Sequence, residues 1–285
     1  MQFLKRNRWL ILLCLVLLCI FVWWKLWSAN TGKLQVSFLD IGQGDSIFIQ
    51  APNGRQVLID GGRDQTVLKR LGEVMPYGDR SIDVMIATHP DADHIGGLPF
   101  VLAHYNVAMV MEPGVGSDSD VYQTFEEKIG EEKAAREYAR RGMTLVLDQE
   151  KNIHLDILFP DQDVSTWETN EASIVAKLVY GHTSFLLTGD APRQTELYLD
   201  KLNKKELDVD VLKLGHHGSH TSTSPTFIQD TTPDYAIISA GKNNSYGHPH
   251  PEVLQVLEAF QVPYLATYEQ GTITFVSDGE VLIKK

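Results

Sequence analysis

The feature that most restricts the fold of this chain is the segment Thr88-His89-Pro90-Asp91-Ala92-Asp93-His94-Ile95-Gly96-Gly97. It follows an apolar run, 82–88, that reads as a buried strand, and it packs four potential metal ligands into six residues. A loop leaving such a strand can aim His89, Asp91, Asp93 and His94 at one place. Gly96-Gly97 then permits close backbone approach where a helix resumes. Capping would account for Asp93, and a surface position for His89. Neither accounts for four such residues at alternating and adjacent spacing. Both cysteines, Cys14 and Cys19, lie in the first twenty residues, so any metal site further on is restricted to His, Asp and Glu.

Around this segment the spacing predicts strands at 34–40, 46–50 and 56–60, the last two joined by the turn Pro52-Asn53-Gly54. A helix is expected at 64–75, another over 94–104, and a strand at 107–111. The charge-rich stretch 119–141, with Tyr122, Phe125 and Ile129 near helical spacing, reads as a solvated surface helix weakened at Gly130. Strands follow at 144–147, 153–159, 173–180, 184–188, 209–214 and 235–239, with helices at 193–202 and 251–260 and two closing strands. Two runs of strands, each interleaved with helices, suit an α/β fold: a four-layer αββα sandwich, two mixed sheets face to face with helices outside. A length of 285 residues with 43% apolar content suffices for that core.

The first segment differs from the rest. Lys5, Arg6 and Arg8 precede the apolar run 9–27, near the length a spanning helix requires. Lys25 can snorkel, and Trp23, Trp24 and Trp27 suit the lipid–water boundary. The expectation is an uncleaved transmembrane helix in a membrane anchor at 1–28, a linker at 29–33 and a folded domain at 34–285 outside the cytoplasmic membrane. Ser28-Ala29-Asn30 is a poor cleavage site, and Leu17-Leu18 before Cys19 does not suit a lipoprotein.

The anchor region holds four of the 25 basic residues and no acidic one, leaving 21 against 37, a net charge of −16. A nucleic-acid binder of this balance has to concentrate its positive charge locally or rely on bound metal ions.

Other motifs carry chemistry at strand ends. Asp190, in Thr188-Gly189-Asp190 after Phe185-Leu186-Leu187, can bridge two cations or cap the next helix. Of His216-His217, one is expected as a ligand and the other as a supporting or substrate contact. His248, between Gly247 and Pro249, is either a substrate contact or a structural loop residue. Turn chemistry alone would explain Gly42, Gly44 and Asp45. His104, His154 and His182 look incidental.

These residues match, position by position, the His-x-His-x-Asp-His signature of the metallo-β-lactamase superfamily, with Asp91 in the second His slot. The chain resembles the C-terminal hydrolase domain of ComEC-type competence and DNA-uptake proteins, from about Leu34 to its end. Further matching elements are Phe38-Leu39-Asp40-Ile41-Gly42-Gln43-Gly44-Asp45, Asp60-Gly61-Gly62, Asn170 with Ser173, Gly215-His216-His217-Gly218-Ser219 and Tyr246-Gly247-His248-Pro249. The resemblance implies two divalent metal ions, zinc or manganese. His89, Asp91 and Asp190 would hold one, and Asp93, His94, Asp190 and His216 the other. Asp93, His217 and His248 take catalytic roles by the same likeness, with Gln43, Asp45, Asp60, Asn170 and Ser173 as supporting or substrate-contacting positions.

The sequence departs from the superfamily where Asn170 stands in place of the usual third-motif histidine. Together with Asp91, that makes the first site oxygen-rich and shifts preference from zinc toward manganese. The activity implied is a phosphodiesterase or nuclease acting on DNA. Alternatives are hydrolysis of a small phosphodiester such as a phosphocholine ester, hydrolysis of a β-lactam-like substrate, or a non-catalytic DNA-uptake component that keeps the fold.

Overall fold

Side-chain alternation along the strands decides the layering. The computed structural model describes residues 8–30 and 32–285. Its first sheet has eight strands in the order β15-β14-β1-β2-β3-β4-β5-β6. These are β1 (Leu34–Phe38), β2 (Ile47–Gln50), β3 (Gln56–Ile59), β4 (Ser81–Ile86), β5 (Asn106–Glu112), β6 (Ala135–Tyr138), β14 (Ile273–Ser277) and β15 (Leu282–Lys284). The second has seven, ordered β13-β12-β11-β10-β9-β8-β7. They are β7 (Thr144–Asp148), β8 (Ile153–Phe159), β9 (Val175–Tyr180), β10 (Thr183–Leu187), β11 (Val211–Lys213), β12 (Tyr235–Ile238) and β13 (Tyr264–Ala266).

Odd and even positions go to different cores. Ile47, Ile49, Val57 and Ile59 join Phe185, Leu187 and Val211 in the core between the sheets. Their neighbours Phe48 and Leu58 face outward, onto Val67, Leu71, Leu98 and Val101 of the helices Thr66–Val74 and Leu98–His104. On the far side, Leu186 and Leu212 pack against Leu199, Phe227 and Val253 of three further helices. Three apolar layers between four layers of backbone are the αββα sandwich expected from the order of elements.

Both sheets are mixed. β3-β4-β5-β6 run parallel, as do β10-β11-β12-β13, and the remaining pairs are antiparallel. In open sheets of this kind, ligands gather outside the carboxyl ends of parallel strands. Here Asp60 follows β3, His89 follows β4, Asp190 follows β10, and His216 and His217 follow β11.

Two expectations change. The helix expected over 94–104 is broken into Ala92–Ile95 and Leu98–His104. At Gly96 and Gly97 a β-carbon would lie 2.3 Å from the Arg63 carbonyl oxygen and 2.0 Å from that of Gly61, so the break is where another loop presses on bare backbone. The charge-rich stretch is helical only over Asp120–Glu132, with Phe125 and Ile129 buried. After a left-handed Lys133 (φ 58°) it turns back as the exposed edge strand β6, parallel to β5. There Arg136 pairs with Glu112 of β5 and with Glu126 of the helix, an ionic link that compensates for the absence of burial.

The first helix, Arg8–Asn30, exposes apolar side chains from Trp9 to Val22 and continues into the expected linker. Among the described residues no helix is both long and apolar enough to cross a membrane. Residues 1–7 of the expected anchor and residue 31 of the linker lie outside the described residues.

Phe275 sits between the sheets at 6.3 Å from Phe38, 6.0 Å from Phe185 and 5.7 Å from Tyr235, ring to ring. Phe275→Ala removes this fully buried ring and is expected to lower unfolding free energy by about 3–5 kcal/mol, read from a urea titration at unchanged m-value.

Candidate metal centre

Three loops of the eight-stranded sheet meet through backbone bonds. The Asp45 N–H donates to Asp93 O, Gly62 N–H to Asp45 O, and Gly61 N–H to His94 O. This weave brings the turn after β1 against the ligand loop so closely that a β-carbon on Gly44 (φ +118°) would stand 2.0 Å from Asp93 O. Glycine there is a steric requirement.

Into this junction project Asp45, His94, Asp190 and His217, all buried, each offering a ligand atom within 4.8 Å of the others. Asp190 is the hub. Its Oδ1 lies 3.3 Å from His94 Nε2, and its Oδ2 lies 3.3 Å from His217 Nε2, 3.9 Å from His216 Nε2 and 4.0 Å from His89 Nε2. Asp93 Oδ2 reaches His217 Nε2 at 3.5 Å, and Asp91 Oδ2 reaches His89 Nε2 at 3.8 Å. Ligands at 2.0–2.2 Å from a cation lie about 3–4 Å from one another, so these separations fit.

The imidazoles are oriented from behind. Asp60 accepts from Thr88 N–H at 2.8 Å and Thr88 Oγ1 at 2.7 Å, and its Oδ2 lies 2.8 Å from His94 Nδ1. Thr88 Oγ1 is also 3.1 Å from His89 Nδ1. Both rings therefore turn their Nε2 into the cluster. Ser173 Oγ accepts from the Asp190 N–H at 3.3 Å. Among the described residues, His89 Nε2, His94 Nε2, His217 Nε2, Asp45 Oδ1 and Asp190 Oδ1 are buried without a hydrogen-bond partner. Buried polar atoms ordinarily have one. Nitrogen and oxygen ligand atoms that face one another and are otherwise unsatisfied suit a divalent cation.

Charge supports the same conclusion. Asp190 is held well below the carboxylate range: burial raises it, but His217 and His94 outweigh that. Burial likewise opposes charge on His94 and His217, yet Asp190, with Asp60 for His94 and Asp45 for His217, pushes both well above the histidine range. His89 falls well below that range through burial and the neighbouring His94. Binding a cation thus means displacing protons from His94 and His217, so affinity falls as pH falls.

The Metallo-beta-lactamase superfamily model matches residues 39–242. The chain belongs to this superfamily. It is 36% identical over 283 residues to ComE operon protein 3 of Bacillus subtilis, covering 92% of this chain and 35% of that protein. It is 33% identical over 288 residues to Recombination protein 2 of Haemophilus influenzae, covering 96% of this chain and 33% of that protein. The chain spans about a third of the length of these curated relatives. The matches agree with the ComEC-type resemblance carried by the motifs. In fold, it is similar to the solved metallo-β-lactamase fold protein YhfI of Bacillus subtilis, with TM-score 0.57 at 13% identity over 87% of this chain and 100% of that one.

Within the superfamily frame, the positions expected from sequence divide. His89, Asp91, Asp93, His94 and Asp190 converge. Of the histidine pair, His217 is buried inside the cluster, whereas the side chain of His216, the expected ligand, is 27% exposed and approaches Asp190 from the solvent side. Both adopt left-handed backbone, φ 47° and 56°. Such strain costs about 1–3 kcal/mol per residue and needs support. The support comes from Ser222 Oγ donating to Gly215 O at 2.6 Å and from Glu196, which accepts from Thr223 N–H (2.5 Å) and Ser224 N–H (2.8 Å). Burial nonetheless pushes Glu196 up to about 7.

Gln43 accepts from Gly241 N–H at 3.2 Å and ties its turn to the loop bearing His248. His248 is buried, its ring 5.4 Å from His216 and 6.1 Å from His217. Burial, then the neighbouring imidazoles, lowers it to about 4, so at neutral pH it is an uncharged hydrogen-bonding group. Asn170 lines a cleft of about 610 Å³ with Arg193, His216, His220 and Thr221, a volume in the range of substrate pockets.

Sequence reasoning missed Lys213. Alternation places it on the same inward face of β11 as Val211, fully buried, where it pairs with Asp45, lies 3.8 Å from Asp190 Oδ1 and donates to Gly189 O at 2.9 Å. The available signal was a lysine inside the otherwise apolar stretch 211–214. Lys213→Met is expected to destabilise the metal-free protein by about 3–5 kcal/mol in urea unfolding, with less loss when Asp45→Asn is added. Asp60→Ala is expected to weaken divalent metal binding roughly 10- to 100-fold by calorimetry.

Proposed function

We propose that this chain is a metal-dependent phosphodiesterase that cleaves DNA outside the cytoplasmic membrane, held there by its N-terminal helix. The observation that carries this reading is the placement of Asp190. Its Oδ1 lies beside His94 and its Oδ2 beside His89, His216 and His217, with Asp91 next to His89 on one side and Asp93 next to His217 on the other, a sharing that suits a pair of cations. The oxygen-rich donor set on the first side favours manganese over zinc. The DNA substrate rests on the ComEC-type resemblance, supported by the similarity to ComE operon protein 3 and Recombination protein 2. The anchor rests on the basic residues, apolar run and tryptophans of the first 28 residues, supported by the exposed apolar face of the helix from Trp9 to Val22.

When bound, the cations supply an acidified water and positive charge against a phosphoryl oxygen. The chain's own residues do the rest. Asp60 and Thr88 hold His94 and His89 in the orientation that presents Nε2, and Ser173 fixes Asp190. Neutral His248, above His216 and His217, hydrogen-bonds the substrate. The cleft lined by Arg193, His216 and His220 receives the strand beside the scissile bond, with the Arg193 guanidinium available to a phosphate oxygen.

The test uses the full chain in detergent with end-labelled single-stranded DNA and manganese or zinc. The expected outcome is cleavage with manganese, abolished by chelator and reduced more than roughly a hundredfold by Asp190→Ala, with metal content lost in parallel. Intact DNA alongside turnover of a phosphocholine ester or a β-lactam would replace the nuclease with one of those hydrolases. Uptake activity that survives Asp190→Ala would instead favour a binding component.

A further inference from the structure

The motif Tyr246-Gly247-His248-Pro249 contributes His248 to the site and leaves Tyr246 without a role. Tyr246 is 51% exposed, at the rim of the buried polar cluster. Single exposed apolar residues are common on protein surfaces and by themselves carry no function. Three observations set this one apart.

The ring is stacked on His248, the histidine of the same loop. Tyr246 and His248 have centroids 5.6 Å apart with an interplanar angle of 21°, and His248 in turn lies 5.4 Å from His216. Tyr246 is thus two rings away from a histidine that lines the cleft. The loop is also held in place. Asn244 Oδ1 accepts from Tyr246 N–H (3.2 Å) and His248 N–H (2.9 Å), while Asn244 Nδ2 donates to Gly241 O (2.8 Å) and His248 O (2.6 Å). Finally, exposed Arg63 donates from Nη2 to the Tyr246 hydroxyl at 3.4 Å. Arg63 follows β3 on the other sheet, so the pair spans the junction. The cation meets the ring at its hydroxyl oxygen, and the residue remains half exposed.

A preorganised aromatic face, with a guanidinium at its edge and a phosphodiester site two rings away, has the chemistry of a base-stacking platform. Aromatic rings bind successive bases of single strands with little sequence preference, because every base has a π-face, while nearby cations follow the backbone. A base inside a duplex is already stacked and cannot reach such a face. We propose that Tyr246 is the stacking platform for an unpaired nucleobase next to the scissile phosphodiester, with Arg63 set for a neighbouring backbone phosphate. The site therefore takes single-stranded nucleic acid. This rests on the phosphodiesterase reading above and narrows its substrate.

The test compares the full chain, in detergent with manganese, on a short single-stranded deoxyoligonucleotide, its abasic counterpart of equal length, the matching duplex and the equivalent RNA. The wild-type protein is expected to show a KM roughly tenfold lower for the base-bearing strand than for the abasic one, and to cleave the duplex poorly. Tyr246→Ala is expected to erase that preference, and Tyr246→Phe, which keeps the ring but loses the Arg63 bond, to retain it. The same ordering should appear without turnover, as quenching of a 2-aminopurine strand by the metal-free protein. The strand type, DNA or RNA, that shows the Tyr246-dependent KM identifies the natural substrate. A base preference that survives in Tyr246→Ala, or one absent from the wild type, overturns the platform while leaving the phosphodiesterase intact. If no oligonucleotide is cleaved but another ester or amide is, the phosphodiesterase reading itself has failed, and the platform with it.

Discussion

Asp190 imposes the constraint on which the rest of the structure depends. A carboxylate at the meeting of two sheets, cut off from water, is sustainable only among positive charges or hydrogen-bond donors. Here His94, His217 and Lys213 surround it, and Ser173 receives its backbone N–H. Asp45, Asp60 and Asp93 add further negative charge around the same imidazoles, and Asp91 adds it beside His89. Such a cluster is poorly balanced by one lysine and shared histidine protons. Divalent cations would complete it, and its buried unpaired nitrogen and oxygen atoms face the space they would fill.

The scaffold meets this demand by collecting ligands where parallel strands end. Because β3, β4, β10 and β11 point their carboxyl ends at one junction, residues distant in sequence need only short loops to converge there. The loops are then held by polar anchors outside the cluster. Glu196 ties down the chain after His217, Asn244 the chain around His248, and Gln43 links the Asp45 turn to the His248 loop. Strained backbone at His216 and His217 is tolerated because this framework over-determines it.

Much of this was legible in the sequence for a physical reason. Period-two alternation and strand-end motifs are local properties, so the two runs of strands, the ligand loop at 89–94 and Asp190 could be read directly. Where local pattern and tertiary contact competed, the reading failed. Nothing local distinguishes an amphipathic helix through residue 141 from a helix that stops at Glu132 and returns as an edge strand, because the return is held by Arg136 reaching Glu112 and Glu126. Likewise, a continuous helix over 94–104 is sound by spacing, and only the approach of the Gly61 and Arg63 carbonyls breaks it.

By itself the sequence determined the absence of thiolate ligands beyond the first segment and the His, Asp and Glu ligand types, which follow from composition, and the layered α/β architecture, which its order of elements suits and its family motifs imply. The tertiary structure alone decided which imidazole of the 216–217 pair turns inward, that Lys213 neutralises Asp45, and that Tyr246 lies two rings from the cleft. These are consequences of backbone dihedrals and of contacts between sheets, and neither is encoded in the spacing of residues along one strand.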